Sequence, residues 1–306
     1  MFSTFSHAAF QVTDLEGSID HATTVLGMRE LGRRDDSVFL THGPDLPSLE
    51  LRPGAVTALD HTALQLRDPA AIVELRQALD AHGTAWAAGP DEPGIAESVR
   101  FEVPEGHLIE AVLPAIDEAP AWALQGQPPY VPSGVRPRQV GHINLTSEDV
   151  ASTVEFFTAV LGFATSDVCV DEAGEVQLAF LRCGSLHHSI AVLGGANGMF
   201  HYAFEVDTVQ DLVRLGDLLD IVDRRFLWGP GRHAAGDNIA TYHPDPSGVL
   251  YEVYAEMQQI DDDRWEPRRW SMTDDRVANM WGAAADPGKL LATSIPLVAE
   301  GAQIGS

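Results

Sequence analysis

Runs of alternating apolar and polar residues, each followed by an amphipathic stretch, recur along the chain and indicate a repeated unit. The segment HAAFQVTDLEGSIDHATTVLGM at residues 7–28 aligns without a gap with HINLTSEDVASTVEFFTAVLGF at residues 142–163. Each segment predicts a short strand, an Asp-containing turn and a helix that ends at a Leu-Gly pair, where the glycine caps the helix. An internal repeat of this length indicates that the two halves of the chain share one fold.

Two further pairs of segments extend the repeat. The sequence DHTALQL at Asp60–Leu66 matches FHYAFEV at Phe200–Val206, and further on PEGHLIEAVL matches PSGVLYEVYA. A helix-like stretch follows each member of the first pair, at Ala70–Ala81 and Val209–Ile221. The chain is therefore predicted to contain four similar units, two in each half, and each unit is a strand, a helix and then several strands.

The repeat also predicts the domain boundaries. We expect one domain at residues 1–118 and a second at 139–259, joined by a Pro-rich stretch at 119–138 that contains PPYVPSGVRP and is typical of an extended linker. The strand pattern stops soon after the second domain. Residues 260–306 are therefore predicted to form a C-terminal extension that folds over one half as a cover.

Composition and charge narrow the range of functions. The formal net charge of −26 argues against nucleic acid and anionic membranes as partners, because both repel an acidic surface. The chain has no apolar run long enough to span a bilayer and no basic, apolar leader at its beginning. Two cysteines, Cys169 and Cys183, are too few for a disulfide framework and fit a reducing cytoplasm. We therefore expect a cytoplasmic protein.

Three residues of the second half form a candidate metal site. His142, His201 and Glu252 each lie near the middle of a predicted strand, where a sheet holds a side chain rigidly. Two imidazoles and one carboxylate on one face leave three positions of an octahedral metal open, as in the non-haem Fe(II) oxygenases. The alternative is that each histidine is a buried strand residue satisfied by hydrogen bonds, which is the commoner situation for a single strand histidine.

The stretch GRHAAGDNIATYHPDPSGVLYE resembles the signature of the type I extradiol dioxygenases, a family of the vicinal-oxygen-chelate superfamily. The residues that match this signature are Gly231, His233, Tyr242, Asp245, Pro246, Gly248 and Glu252. Thr241 departs from the usual apolar residue, a change that does not affect the chemistry. The resemblance implies an α+β fold of four βαβββ modules, paired into two barrel-like domains, and it covers the chain to about residue 260.

The resemblance also implies a role for each residue of the site. His142, His201 and Glu252 correspond to the ligands of Fe(II), and this ligand set also accepts Mn(II). His187, fourteen residues before His201, corresponds to the acid–base histidine, although its neighbour His188 remains an alternative. His233 and Tyr242 correspond to the pair that hydrogen-bonds the catecholate. Asn144 is a weaker candidate for orienting the site, and His243 is expected to be structural or exposed rather than catalytic.

The activity implied by the resemblance is cleavage of a catechol ring beside its diol. O2 is the second substrate, and the product is a semialdehyde of the hydroxymuconate type. The resemblance further suggests a homo-oligomer. Two alternatives use the same modules: a metal-dependent isomerase or lyase that needs no O2, and a metal-free binding or resistance protein. The acid–base histidine argues against the first, and the intact ligand set argues against the second.

The first half has ligand-type residues at equivalent positions, but we expect it to be non-catalytic. His7, His61 and Glu110 match the three ligands of the second half, so a second metal site in the first half remains an alternative. By the same alignment, Pro47 stands in place of the acid–base histidine and Arg100 in place of Tyr242.

The substrate beyond a catechol is not defined by the sequence. A carboxylate on the ring would favour an arginine at the pocket mouth, and an apolar substituent would favour aromatic walls. The candidate residues for these two roles are Arg232, Arg264, Arg268, Arg269 and Arg276, and Phe200, Trp228, Trp270 and Trp281.

Overall fold

The computed structural model describes residues 1–43, 46–115, 133–262, 264–282 and 286–299. Most of the predicted linker at 119–138 lies outside the described residues. Within them, no helix has the length and apolar character that a bilayer crossing demands.

The first half consists of two modules, each a strand, a helix and three strands. The elements of the first module are β1 (Phe2–Val12), α1 (Leu15–Asp20), β2 (Arg29–Arg34), β3 (Ser37–Thr41) and β4 (Leu49–Pro53). Those of the second are β5 (Ala58–Leu66), α2 (Pro69–His82), β6 (Trp86–Ala88), β7 (Ile95–Val103) and β8 (His107–Pro114). These eight strands form one sheet in the order β2-β3-β4-β1-β5-β8-β7-β6.

The second half repeats this order. Its third module contains β9 (Gln139–Ser147), α3 (Val150–Glu155), β10 (Ala164–Val170), β11 (Val176–Arg182) and β12 (Ile190–Gly194). Its fourth contains β13 (Gly198–Glu205), α4 (Val209–Ile221), β14 (Trp228–Arg232), β15 (Ile239–Pro244) and β16 (Leu250–Ala255). The sheet order β14-β15-β16-β13-β9-β12-β11-β10 is that of the first half read in the opposite direction. The predicted α+β fold of four βαβββ modules is confirmed.

The first helix of each half begins and ends as its sequence indicates. The carboxylates of Asp14 and Asp149 accept hydrogen bonds from the backbone three residues further on, at 3.0 and 2.9 Å, which caps the helix N-terminus. Each helix continues into a π-helical turn, at His21–Val25 and Phe156–Val160. Gly27 and Gly162 then follow with φ of 78° and 75°, a left-handed conformation that glycine adopts at little cost. The π-helical turns were not predicted.

The two halves pack into one continuous hydrophobic core. Polar contacts also join them: the Tyr202 hydroxyl donates to the Ser48 carbonyl at 2.5 Å, and the Ser18 hydroxyl donates to the buried Asp245 carboxylate at 2.6 Å. His21 and His243 meet across the same boundary with their Nε2 atoms 3.1 Å apart. His243 thus has a structural position, as expected.

The C-terminal extension lies against the second half. Its strand β17 (Arg268–Ser271) pairs in parallel with β10 and lengthens the sheet, and β18 (Ile295–Pro296) pairs with β13. Two short helices, α5 (Asp275–Ala278) and α6 (Pro287–Leu291), lie between these strands. Residues of both helices reach the candidate site.

Candidate metal centre

Three neighbouring strands bring the predicted ligands together. Ala203 on β13 pairs with His142 on β9 and with Glu252 on β16, so these side chains share one face of the sheet. His201 lies two residues before Ala203 and therefore projects from the same face. Because Ala203 is small, the space in front of it is left for the three larger side chains. All three predicted ligands are buried.

The donor atoms of the three side chains converge on one point. The Nε2 atoms of His142 and His201 are 3.1 Å apart, and they lie 3.2 and 3.0 Å from Oε2 of Glu252. Metal bonds of about 2.1–2.2 Å at right angles separate neighbouring donors by about 3.0–3.1 Å, whereas tetrahedral angles would separate them by about 3.4–3.6 Å. The triangle therefore has the dimensions of one face of an octahedral metal ion.

The protonation states also suit a metal. Burial alone would oppose ionisation of Glu252, but the imidazoles of His142 and His201 hold its pKa well below the usual value. Burial also lowers the pKa of His142. An anionic carboxylate and a neutral imidazole are the forms that bind divalent cations. The second oxygen of Glu252 accepts a hydrogen bond from Asn238 at 2.9 Å, which fixes the carboxylate.

A cavity of about 160 Å³ opens directly above the triangle. Strands from both ends of the sheet line it, so the sheet curls around the site. Its walls are mostly apolar and comprise Leu178, Phe180, Leu193, Phe200, Trp228, Ala235, Val277, Ala278 and Leu290. Its polar residues are Asn144, His188, His233, Asn238 and Tyr242, together with the three predicted ligands.

His233 and Tyr242 form a hydrogen-bonded pair on the His201 side of the cavity. The Tyr242 hydroxyl lies 3.2 Å from Nε2 of His233, and the ring centres of Tyr242 and His201 are 5.1 Å apart. Nδ1 of His233 donates to the Ala278 carbonyl at 2.6 Å, so in the neutral ring Nε2 is the acceptor. Burial lowers the pKa of His233 and raises that of Tyr242 well above its usual value. The resting pair is therefore a neutral imidazole and a neutral phenol.

Of the two acid–base candidates, His188 lines the cavity and His187, the one preferred from the sequence, does not. The His188 ring centre lies 4.1 Å from that of His142, and His188 lines the cavity. His187 is fully buried on the other side, with Nε2 3.3 Å from Oδ2 of Asp167, an ion-pair contact rather than a well-aligned hydrogen bond. The two residues precede β12, and their rings meet edge to face with centres 5.3 Å apart, so only one of them lines the cavity. Burial holds the pKa of His188 well below its usual value.

A chain of buried polar residues extends from His188 away from the cavity. The Nδ1 atoms of His188 and His187 are 3.0 Å apart, and His187 contacts Asp167. Asp167 also accepts hydrogen bonds from Trp270 Nε1 at 2.8 Å and from the backbone and Nε of Arg268 at 3.1 and 3.2 Å. Burial opposes the ionisation of Asp167, but its hydrogen-bonding partners, His187 and Trp270 first, lower its pKa. The C-terminal extension thus contacts the acid–base candidate indirectly.

Comparison with known proteins agrees with this geometry. A family model described as the Glyoxalase/Bleomycin resistance protein/Dioxygenase superfamily matches residues 139–253. The second half of the chain is thus similar to the domains of this superfamily. The matched range includes all three predicted ligands, the acid–base candidates and the His233–Tyr242 pair.

Individual relatives of the superfamily match over nearly the whole chain. A manganese-dependent 2,3-dihydroxybiphenyl 1,2-dioxygenase from Geobacillus genomosp. 3 is 28% identical over 93% of this chain and 95% of its own length. Among solved structures, a 2,3-dioxygenase from Pseudomonas sp. KL28 is 26% identical, with a TM-score of 0.79 over 88% of this chain and 96% of its own. An Mn(II)-bound glyoxalase from Novosphingobium aromaticivorans is also 26% identical, with a TM-score of 0.81 over 99% and 96%.

The stretch that resembles the extradiol dioxygenase signature also includes a residue that holds the two halves together. Asp245, buried at the turn between β15 and β16, accepts hydrogen bonds from the backbone N–H groups of Ser247 and Val249 at 2.9 Å, in addition to Ser18. Its place in the signature is thus explained by packing of the first half against the metal-binding half.

Several residues of the site were not identified from the sequence, and some candidates lie elsewhere. The strand pattern did not identify Asp167 or Asn238, because each contributes to the site through a contact that the local sequence does not show. Asp167 contacts Trp270, and Asn238 contacts Glu252. Asn144, Phe200 and Trp228 do line the cavity. No arginine or lysine occurs among the described residues that line it, and Trp270 and Trp281 are also outside.

At the equivalent residues of the first half the cavity is polar rather than apolar, and Glu50, His61 and Arg100 are among the residues that line it. Arg100 pairs with Glu110 across β7 and β8 in the same register in which Tyr242 pairs with Glu252. Nη2 of Arg100 donates to Glu110 at 2.8 Å and lies 3.4 Å from Nε2 of His61. A guanidinium therefore occupies the space beside Glu110 that the tyrosine leaves open beside Glu252.

Proposed function

We propose that the protein is an extradiol dioxygenase that opens a catechol ring with O2 at an Fe(II) centre bound by His142, His201 and Glu252. The observation that carries this proposal is the triangle of donor atoms, spaced as on one octahedral face, at the base of an apolar cavity. A tetrahedral structural site would use all its positions for protein ligands, whereas this arrangement leaves three for the two catechol oxygens and O2.

The bound ion would supply coordination for both reactants and a route for electron transfer between them. Iron is the metal that we propose, and Mn(II) is the alternative, since the same ligand set accepts both. The 28% identical relative from Geobacillus genomosp. 3 is named as manganese-dependent, which makes the choice of metal an experimental question.

Tyr242 and His233 would bind and orient the catechol oxygens. In the resting site the Tyr242 hydroxyl donates to Nε2 of His233. If the Tyr242 hydroxyl rotated towards a bound catecholate, it would donate a hydrogen bond to one oxygen of the catecholate. Nε2 of His233 could accept the proton of the other catechol hydroxyl. Donors prearranged in a dry site stabilise such an anion more strongly than water does.

His188 would serve the oxygen side of the reaction. It lies beside His142, whereas Tyr242 lies beside His201, so the two proton-carrying groups flank different ligands. Asp167, 3.3 Å from Nε2 of His187, would favour a proton on that nitrogen, and the Nδ1 lone pair of His187 would then face Nδ1 of His188 at 3.0 Å. His188 would then carry its proton on Nδ1, and its Nε2 would be free to accept a proton from the substrate and to return it on the O2 side of the cavity.

The cavity favours a catechol with one ring and an uncharged substituent. An apolar cavity of about 150 Å³ holds one benzene molecule, and the cavity here has about 160 Å³. Two connected rings would therefore require side chains such as Leu193 or Leu290 to move. Since no described cationic side chain lines the cavity, a ring carboxylate would lose hydration without gaining a partner.

A non-oxidative isomerase or lyase is the second candidate. The similarity to the Mn(II)-bound glyoxalase of Novosphingobium aromaticivorans favours it, since such chemistry uses the metal only as a Lewis acid. That reaction has no use for O2. Oxygen consumption therefore separates the two candidates. The homo-oligomer and the cytoplasmic location stay predictions from the sequence.

The test is anaerobic reconstitution with Fe(II) and, in parallel, with Mn(II), followed by O2 uptake and absorbance. The substrates are catechol, 3-methylcatechol, 2,3-dihydroxybiphenyl and 3,4-dihydroxybenzoate. We expect one O2 consumed per yellow product, with the two monocyclic uncharged catechols as the better substrates. Glu252→Gln is the matched control that should lose metal and activity together. Stoichiometric metal without O2 uptake on any catechol would leave the Lewis-acid enzyme as the better account.

A further inference from the structure

The interior of the first half holds more negative charge than its arginines neutralise. Glu50, Glu92 and Glu110 are all buried, with 4%, 6% and 0% of their surface exposed. Arg100 donates to Glu92 at 2.9 Å and to Glu110 at 2.8 Å. Arg34 reaches only to 3.8 Å from Glu92 and is itself partly exposed. Buried carboxylates require cations or protons as partners. A protonated His61, with Nε2 3.1 Å from Glu110, supplies one of them, but Oε2 of Glu50 and Oε2 of Glu92 have no hydrogen bond.

Besides Oε1 of Glu110, three buried imidazole and carboxylate atoms of this region have no hydrogen-bond partner among the described residues. They are Nε2 of His7, Oε2 of Glu50 and Oε2 of Glu92. In both glutamates the other oxygen is satisfied, because Ser37 donates to Oε1 of Glu50 at 2.5 Å and Arg100 donates to Oε1 of Glu92. Each carboxylate thus presents one free oxygen to the same interior space. Buried polar atoms without partners are rare in folded proteins.

The two histidines of the region are oriented from behind. Nδ1 of His61 lies 2.7 Å from Oδ1 of Asp60, and its Nε2 lies 3.1 Å from Oε2 of Glu110. Burial lowers the pKa of His61, but these two carboxylates outweigh it and raise the pKa to about 9, so a divalent ion would displace the proton on Nε2. Nδ1 of His7 is 3.2 Å from the Ser6 hydroxyl. A carboxylate behind a histidine is the arrangement that orients metal-binding imidazoles. Nε2 of His7 lies 3.5 Å from Oε2 of Glu92, and Nε2 of His61 lies 3.9 Å from Oε2 of Glu50.

We propose that the first half binds a second divalent cation through His7, Glu50, His61 and Glu92. These four donors lie within 4.8 Å of one another. Bonds of about 2.1–2.2 Å in an octahedral ion separate donors by about 3.0–3.1 Å for neighbours and about 4.2–4.4 Å for opposite pairs, so shifts of a few tenths of an ångström complete the site. Two imidazoles and two carboxylates suit Mn(II), Fe(II) or Zn(II).

This site is not a copy of the triad in the second half. Glu110, the counterpart of Glu252, is bonded to Arg100 and lies outside the group of four donors. Strand register aligns Glu50 with Ala191, since Glu50 pairs with Ala9 and Ala191 pairs with Asn144. The carboxylates are therefore particular to the first half. A polar cavity that includes Glu50 and His61 in its lining gives an ion access from solvent.

The experiment measures Mn(II) stoichiometry by equilibrium dialysis and elemental analysis, with no substrate and no activity assay. The intact protein should bind two equivalents, and the variant His142→Ala/His201→Ala should retain one. Adding Glu92→Gln to that variant should reduce binding to none, and Glu50→Gln serves as a second probe should the first not fold. Glu97→Gln, at an exposed carboxylate on the same strand as Arg100, is the control that should keep the ion.

Thermal unfolding provides a second readout. Mn(II) at 100 times its dissociation constant should raise the unfolding midpoint of the His142→Ala/His201→Ala variant, since an ion that binds only the folded state stabilises it. One equivalent in the intact protein and none in the double variant would overturn the proposal. If a second equivalent then appeared only on Arg100→Gln, the guanidinium would be the resident cation, which also overturns it. Because the readout is metal content, the result is independent of the proposed reaction.

Discussion

Replacing His188 with alanine is expected to lower kcat by about 10²- to 10⁴-fold, the usual contribution of a positioned acid–base group. His188 lines the cavity and lies beside His142, yet no atom of it belongs to the ligand triangle. The metal content and the anaerobic affinity for catechol should therefore change little. A loss confined to kcat is the signature of a group that acts in the transition state.

His187→Ala should have a much smaller effect, although His187 is the neighbour of His188 and equally buried. Its side chain is linked to the cavity through one contact, between the two Nδ1 atoms at 3.0 Å. One hydrogen bond contributes about 0.5–1.5 kcal/mol, which corresponds to roughly a 2- to 13-fold change in rate. Asp167 would keep its donors from Trp270 and Arg268, so the variant should fold.

The assay compares O2 uptake at saturating catechol and O2 for the two variants, each normalised to its own metal content. Circular dichroism and the unfolding midpoint confirm that both are folded. An equal loss in the two variants would show that the histidine pair acts as one unit. A larger loss for His187→Ala than for His188→Ala, with metal still bound, would refute the reassignment and restore the histidine preferred from the sequence.

Three other substitutions test the surroundings of the site. Tyr242→Phe removes a donor to a charged oxygen, worth about 1.5–3 kcal/mol, so kcat/KM for catechol should fall by roughly 10- to 150-fold in steady-state O2 uptake; an unchanged value would exclude Tyr242 from binding the catecholate. Asn238→Ala removes the donor to Glu252 and should weaken the metal by about 10- to 100-fold in competition with a chelator, whereas unchanged affinity would mean that the carboxylate needs no such support. Asp245→Ala leaves buried donors, including the Ser18 hydroxyl, without an acceptor; at about 1–3 kcal/mol for each, urea unfolding should show a loss of several kcal/mol, and a loss below about 1 kcal/mol would contradict its role in joining the halves.

The fold was predictable because the signal is repeated four times. Strand alternation and helix periodicity depend on local residues, and the repeat lets each module support the next. Helix α4, predicted at Val209–Ile221, has those bounds in the structure. The π-helical turns were missed because they lengthen a helix by one residue per turn without altering its apolar face enough to be recognised.

The candidate site was predictable only where its residues lie inside strands. His142, His201 and Glu252 share a face because strand side chains alternate, and this can be counted along the sequence. His187 and His188 precede β12 outside its regular ladder, where a shift of one residue reverses the face of each side chain. Contacts over a hundred residues, such as that of Asp167 with Trp270, leave no local pattern.

The residue opposite the carboxylate accounts for the different fates of the two halves. In the second half Tyr242 turns its hydroxyl to His233, and Oε2 of Glu252 stays within 3.2 Å of both imidazoles. In the first half Arg100 stands in the same register and holds Oε2 of Glu110. A duplicated module therefore kept its ligand-type residues in both halves, but a single cationic side chain removes the carboxylate from use. An ion in the first half would then be bound by carboxylates from other strands and loops, such as Glu50 and Glu92, each of which has one oxygen without a hydrogen bond.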